Sequence, residues 1–476
     1  MLKLIFKGHN FEYEIKELLK AMGHVEGDNT SWRIESVFCE DKSVAGAMLY
    51  NDDKLIQEHF EKVTELDKKS VRNSLKRTMF KTLSSIDQKE MPWGILTGIR
   101  PAKLAMELID EDLQDYEILK ELQEKYLMSK EKASLITEVA RSEKKFLTKE
   151  SQDKISLYIS IPFCPTRCLY CSFPSNDLKT YGKYREEYLK ALFLEIDATK
   201  NIIERMGKKL ETVYVGGGTP TALEAPSIQR LLSKIEDTFD LGGIREFTYE
   251  AGRPDSLDED KLKAIYNSSV DRISINPQTF NDNTLELIGR NHRANEVEEA
   301  IWKAREIGFD NINMDIILGL PKETSDDVKY TLEKIQNLKP DSLTVHTLAI
   351  KRASKLKETL TSFDLVQYNE VNNMIRMTRE AALSMGLRPY YLYRQKNILG
   401  NLENVGYSLL GRESVYNIQI MEEKQTILAL GAGAISKFVY PKENRIERVA
   451  NVKNLEQYIE RVQEMIERKE KEVFGK

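Results

Sequence analysis

The stretch Tyr158-Ile-Ser-Ile-Pro-Phe-Cys164-Pro-Thr-Arg-Cys168-Leu-Tyr-Cys171-Ser172 decides the fold. It holds three of the four cysteines of the chain, with only Cys39 elsewhere. A disulfide framework needs an even partner set, so these thiols read as metal ligands. A structural zinc site would want a fourth Cys or His in a second spaced pair, and none follows. An iron–sulfur cubane held by three thiolates fits better and leaves one iron open for chemistry. The competing readings are zinc or a chance cluster of buried thiols, but clustered cysteines in a chain without a secretory signal usually bind metal.

Outward from this stretch the pattern repeats as apolar strand, turn and amphipathic helix. The expected strands are Ser156–Ile161, Thr212–Val215, Glu246–Glu250, Arg272–Ile275, Asn311–Ile317 and Ser342–His346, with helices such as Tyr184–Met206 and Ala294–Ile307 between them. Alternation at this interval implies parallel pairing with right-handed crossovers, an α/β fold of six units. Functional residues then belong at or just after the C-terminal strand ends. The first strand runs into the cysteine loop, and the second into Gly216-Gly-Gly-Thr-Pro220, where a backbone without Cβ atoms can approach a ligand. A triple glycine alone is a weak signal, and a simple sharp turn is the competing reading. The third strand ends on Glu250, the fourth leads to Gln278, and the fifth ends on Asp315 before Gly319-Leu-Pro321.

The flanks differ. Residues 1 to about 65 mix short β-type runs (Leu2–Phe6, Ile34–Phe38, Ala45–Tyr50) with a helix, Tyr13–Met22, and Asp67–Leu147 turns helical. Between those helices Pro92–Lys103 reads as a loop whose Arg100 and Lys103 could hold an anion such as a propionate, with Trp93 as core packing. Arg141–Lys154 reads as a charged linker. The expected domains are residues 1–150, an α/β and helical domain of unknown role; 151–350, the barrel; and 351–476, a carboxy-terminal substrate-capping region. This last region holds a helical stretch, Leu365–Met385, followed by Pro389–Lys396, Asn401–Tyr407 and Ile427–Ser436. The final helix, Leu455–Lys471, interleaves opposite charges at i,i+4 and reads as a solvated surface helix. Cys39 reads as a half-buried apolar residue.

Composition agrees with a globular chain of two or three domains: 476 residues, 41% hydrophobic, 31% charged. Its net charge of −5, from 71 basic and 76 acidic residues spread along the chain, gives no footprint for nucleic acid or anionic membrane. No apolar run approaches the ~18 residues of a membrane helix, and Met1–Lys7 has too short an apolar core for a signal peptide. The expected location is cytoplasmic, where an oxygen-sensitive cubane persists.

The cysteine spacing, with Tyr170 before Cys171, resembles that of the radical S-adenosylmethionine (SAM) enzymes. Their [4Fe–4S] cluster chelates SAM through the open iron, and the resemblance implies a partial (β/α)6 barrel. Within them the chain is similar, from about Ser156 to Ser436, to the oxygen-independent coproporphyrinogen III oxidases, and most so to the branch called coproporphyrinogen dehydrogenase HemZ. By position, the resemblance implies SAM contacts at Tyr158, Tyr170, Gly217, Gly218, Thr219, Glu250, Gln278, Arg290, Asp315, Ala349 and Ile435, and cluster ligation by Cys164, Cys168 and Cys171. It implies oxidative decarboxylation of two propionates of coproporphyrinogen III, giving protoporphyrinogen IX in haem biosynthesis. A low-potential donor of flavodoxin or ferredoxin type and an electron acceptor would be its partners.

Propionates call for guanidinium and ammonium forks. Arg394 is the first candidate, with Tyr393 and Gln395 beside it, and Arg100 the second. The chain departs from the family at Ser160, where histidine is usual, and at Ala251-Gly-Arg-Pro254, one residue longer than the usual spacing. Tyr393-Arg394-Gln395 replaces the familiar carboxy-terminal substrate motif. The rival reading is a haem-binding chaperone of the same family, for which His292 and His346 are the barrel imidazoles. Another porphyrin-modifying radical SAM enzyme is a third.

Overall fold

The computed structural model describes residues 1–87, 91–173, 175–349, 368–395, 398 and 402–475. Lys396, Asn401 and the start of the expected 365–385 helix lie outside these residues. The chain divides into two compact units, Met1–Arg141 and Ser142–Lys476.

The first unit holds a four-stranded sheet of β1 (Lys3–Lys7), β2 (Trp32–Cys39), β3 (Val44–Asn51) and β4 (Lys54–Lys62), in that order. β1 pairs parallel to β2 and the rest are antiparallel. Helices Glu12–Ala21 and Lys68–Ser84 share its core, where Ile15, Leu18, Ile34, Leu49, Leu75 and Met79 are buried. β4 is an unforeseen edge strand: its alternating charges and exposed Leu55, Ile56 and Phe60 give no half-buried strand pattern. Asp67 caps the second helix through Lys69 N and Ser70 N. Trp93 is buried, as expected of core packing, and Cys39 is half-buried at the end of β2.

The second unit is built on one long sheet. Six parallel strands form its centre: β5 (Lys154–Ile161), β8 (Lys209–Gly217), β9 (Glu246–Glu250), β10 (Arg272–Ser274), β11 (Ile312–Leu318) and β12 (Ser342–Thr347). Two short strands, β6 (Phe163–Cys164) and β7 (Asn176–Asp177), flank the cysteine loop. These are the six expected units, and their consecutive order is that of a partial (β/α)6 barrel. β5 is buried along nearly its whole length, which is why it reads as a continuous apolar run. Helices Arg185–Met206, Ala225–Thr238, Glu259–Tyr266, Ala294–Ile307 and Ser325–Leu338 follow the successive strands. Asp258 caps one by accepting from Lys261 N, and Thr324 with Asp327 forms a capping box on another.

The carboxy-terminal strands extend this same sheet at both edges. β14 (Asn404–Ser408) pairs antiparallel with β12 and carries β13 (Arg388–Tyr393) outside it. At the other edge β15 (Thr426–Leu430) pairs parallel with β5, followed by β16 (Ile435–Tyr440) and β17 (Arg445–Ala450).

Two sequence expectations are corrected. Arg141–Lys154 is no loose linker: it is helical at Lys149–Gln152, and Ser151 is buried, its hydroxyl donating to Glu211 at 2.6 Å. The terminal helix is also not a solvated one. It breaks into Leu455–Glu460 and Val462–Phe474, with Leu455, Tyr458 and Met465 buried. Lys469 lies in the interior, 2.6 Å from Glu195 on the Arg185–Met206 helix, with both side chains at most 1% exposed. Charges at i,i+4 describe one face of a helix; here another face is the buried one.

Candidate functional site

The strand ends of the barrel converge on a cavity of about 360 Å³. Its rim is the cysteine loop, fixed to the barrel from several sides. β6 pairs with β7, Leu169 N donates to Ile288 O at 2.9 Å, and the Thr166 hydroxyl donates to Gly289 O at 2.8 Å. Leu169 and Tyr170 pack on Leu285, Ile288, Ile317 and Leu348. All three thiols face the cavity. Burial pushes the Cys164 thiol up to about 12, with the Thr219 hydroxyl opposing and the neighbouring thiols Cys171 and Cys168 adding to the rise.

The glycine loop after β8 approaches this rim. Gly218 N donates to Ile161 O at 2.8 Å and Thr219 N to Phe163 O at 2.7 Å, while the Thr219 hydroxyl points at Cys164 Sγ, 3.6 Å away. A Cβ on Gly218 would stand 2.7 Å from Phe163 O and 2.9 Å from Cys164 Sγ, so only glycine permits this approach. Gly217 has φ +110, outside ordinary side-chain territory.

Polar residues from the next strands ring the cavity; Glu250 ends its strand and Gln278 follows one, but Asp315 does not end β11 as expected and lies at its middle, since the strand continues to Leu318. Gln278 is buried with φ +66, and its Oε1 has no hydrogen-bond partner among the described residues. A strained, unsatisfied amide aimed at a cavity is what a ligand-binding position looks like before the ligand arrives. Arg290 donates to Asn276 O and leaves Nε unpaired. Asp315 accepts from Asn313 Nδ2 at 2.7 Å and lies 3.7 Å from His346 Nε2. Burial pushes the Asp315 carboxyl up, but His346, Asn313 and Thr344 outweigh it and hold it below the usual range.

Glu250 behaves oppositely. Burial pushes its carboxyl up to about 7, although the Tyr214 hydroxyl donates to it at 2.6 Å; Asp315 adds to the rise. Between its usual value of 4.5 and about 7 the folded chain therefore holds a proton that the unfolded chain has lost. This contribution is complete below the lower value and fades as pH rises through the upper one. From about pH 5 to about pH 8 the ligand-free protein is expected to lose about 3 kcal/mol more stability than its Glu250→Gln variant. Denaturant titrations at each pH measure it, and parallel slopes for the two proteins would refute it.

Ten of the eleven expected SAM positions come together on this one cavity: Tyr158, Tyr170, Gly217, Gly218, Thr219, Glu250, Gln278, Arg290, Asp315 and Ala349. Ile435 does not. It opens β16, 45% exposed, and β15 stands between that strand and β5. Tyr391, Tyr393 and Gln395 line the cavity; Arg394 is not among its lining residues, and burial pushes its guanidinium down to about 10 with Glu403 opposing. Arg100 and Lys103 belong to the Met1–Arg141 unit. His346 lines the cavity, 3.3 Å from the Tyr393 hydroxyl. His292 is buried off the cavity, and burial pushes its ring down to about 3, with Arg290 adding to the fall.

Sequence reasoning missed Tyr214, Arg253 and Arg272, which also line the cavity. Tyr214 stands opposite the expected position Tyr158 in the pairing of β5 with β8, a register that sequence alone did not supply.

The residues fit the cofactors that the cysteine spacing suggests: three convergent sulfurs, a cavity beside them, and unsatisfied polar groups aimed inward. Residues 158–335 match the family model described as the radical SAM superfamily. The chain is 40% identical, over 84% of its length and 81% of the relative's, to the oxygen-independent coproporphyrinogen-III oxidase-like protein HemZ of Bacillus subtilis. It is 33% identical to the heme chaperone HemW of Lactococcus lactis, over 59% of this chain and 68% of that protein. Among solved structures, coproporphyrinogen III oxidase (HemN) from Escherichia coli shares the fold, with a TM-score of 0.50 and 23% identity over 69% of this chain and 73% of that one. A [4Fe–4S] cluster and SAM are accordingly the cofactors of this chain. It belongs to the radical SAM superfamily and, within it, to the family of oxygen-independent coproporphyrinogen III oxidase-like proteins.

Proposed function

We propose that this chain is a radical SAM enzyme that decarboxylates two propionates of coproporphyrinogen III to vinyl groups, giving protoporphyrinogen IX. The observation that carries this reading is the meeting of three thiols and a ring of polar residues on one cavity. Cys164, Cys168 and Cys171 are the proposed cluster ligands, and the ten converging positions the proposed SAM contacts. Held by the three cysteines and these positions, the cofactors would supply hydrogen-atom abstraction at a propionate β-carbon, for which loss of carbon dioxide and of one electron to an external acceptor would complete each vinyl group. The donor that supplies the reducing electron is proposed to be of flavodoxin or ferredoxin type, and the location cytoplasmic.

The chain's own residues position and shield. Gln278 Oε1 and Arg290 Nε are buried without partners among the described residues, so a polar cofactor would satisfy them. Tyr214 donates to Glu250 and fixes the orientation of that carboxyl. Tyr391, Tyr393 and Gln395, from the carboxy-terminal region, close one wall and keep water from a radical, which is the proposed capping role of that region.

An anaerobic assay of the reconstituted protein with SAM, a low-potential reductant and coproporphyrinogen III tests this by mass spectrometry. Protoporphyrinogen formed with 5′-deoxyadenosine is expected. Deoxyadenosine without decarboxylated product would move the substrate to another porphyrin. A haem-binding chaperone is the second reading, supported by the likeness to HemW and by His346, an imidazole on the cavity wall. Haem titration of wild type and His346→Ala, with no SAM cleavage in either, would favour it.

A further inference from the structure

Arg253 is 4% exposed, and its guanidinium is spent on the cysteine loop and one carboxylate. Nη1 donates to Thr166 O at 3.0 Å and points at Cys168 Sγ, 3.6 Å away. Nη2 donates to the Thr166 hydroxyl at 3.0 Å and to Asp255 Oδ2 at 2.6 Å, and Nε donates to Asp255 Oδ1 at 2.9 Å. The arginine comes from the loop after β9, so a fixed charge from a neighbouring barrel unit is locked against one sulfur of the loop. Its two-pronged ion pair with Asp255 leaves the fork no freedom to swing away.

We propose that Arg253 is a positioning residue that sets the reduction potential of the cluster through Cys168; this rests on the proposed ligation by that cysteine. Reduction adds one negative charge to a cluster already carrying thiolates. A buried guanidinium whose N–H points at a ligating sulfur stabilises the reduced form more than the oxidised one, and so raises the potential. Among the described residues, Arg253 and Arg290 bring positive charge and Asp255 negative charge to this loop, and Arg272, Glu250 and Asp315 line the same cavity. Arg253 points an N–H at a cysteine sulfur, so its loss and the loss of its counter-charge Asp255 shift the potential in opposite directions. Arg253 thereby helps a cellular donor of modest reducing power to charge the cluster.

The test is an EPR-monitored redox titration of the reconstituted holoprotein. Arg253→Gln is expected to lower the midpoint, reducing the ratio of reduced to oxidised cluster about tenfold at a fixed poise, or about 59 mV for one electron. Asp255→Asn keeps the arginine and strips its counter-charge, so its midpoint is expected to move the opposite way. Opposite signs cannot come from loosened packing, which would shift both variants alike. A wild-type midpoint in Arg253→Gln with full iron and sulfide content overturns the proposal. If Arg253→Gln fails to assemble, an unmoved or lowered midpoint in Asp255→Asn overturns it instead. Failure of the ligation reading shows separately, as a complete cluster in Cys168→Ala.

Discussion

Cys168→Ala is expected to lose the cluster and, with it, all SAM cleavage. The anaerobically reconstituted variant should show little iron and sulfide, no broad visible absorption, and 5′-deoxyadenosine at background. The reason is geometric. Three thiols supply all the protein ligands available at this rim, and a cubane with an open iron needs every one of them. The loop itself should survive the change, because Leu169 N on Ile288 O and the Thr166 hydroxyl on Gly289 O hold its backbone independently of the sulfur. Thermal unfolding of the cluster-free protein should therefore move little while activity vanishes. Cys39→Ala is the control, since Cys39 lies in β2 of the first unit. A Cys168→Ala protein with wild-type iron content and SAM turnover would sink the ligand assignment.

Much of the barrel was legible because its strands are buried on both faces and its helices on one, and those two patterns differ in period. Glu246–Glu250 and Ala294–Ile307 run between the residues that the sequence indicates, the helix ending where Gly308 takes φ +123. The site was legible for a related reason: Glu250 ends β9 and Gln278 follows β10, so both could be placed from the strands alone, whereas β11 runs three residues past Asp315, which reaches the cavity from mid-strand. The cavity position of Tyr391 and Tyr393 was hard to count from the strand start, because a register shift falls between Pro389 and Tyr391. Arg253 was visible only as an extra residue before Pro254. Its meaning needs the cysteine loop, 85 residues earlier in the chain, to be brought beside it. β4 and Lys469 fail for a deeper reason. Charged side chains read as solvated unless a partner is known, and that partner is fixed by tertiary structure alone.

Lys469→Met shows how much depends on that last point. Lys469 Nζ donates to Glu195 Oε1 at 2.6 Å and to Asn451 Oδ1 at 2.7 Å, with both charged side chains sealed from water. Methionine keeps the length and apolar stem but leaves Glu195 as a buried charge without its counter-ion. Removing one member of such a pair is expected to cost about 3–5 kcal/mol. Glu467→Gln, on an exposed position of the same helix, should stay within about 0.5 kcal/mol of wild type. Denaturant midpoints at constant m measure both. The loss should reach the site as well. Glu195 accepts from Gly431 N at 2.8 Å and from the Tyr458 hydroxyl at 2.6 Å, and Asn451 donates to Gly431 O at 2.9 Å. Gly431 in turn lies against Ser160, whose carbonyl takes the Tyr188 hydroxyl, and Ser160 precedes the Ile161 carbonyl that holds Gly218. Loosening the ion pair thus loosens the end of β5 from which the cysteine loop departs, and lower cluster occupancy should accompany the lower stability. Neutralising both partners, as in Glu195→Gln with Lys469→Met, removes the lone charge and should recover part of the loss. A single Lys469→Met variant within about 1 kcal/mol of wild type would show instead that Asn451, Tyr458 and the Gly431 amide suffice to hold the carboxylate, and that the lysine adds little to the fold.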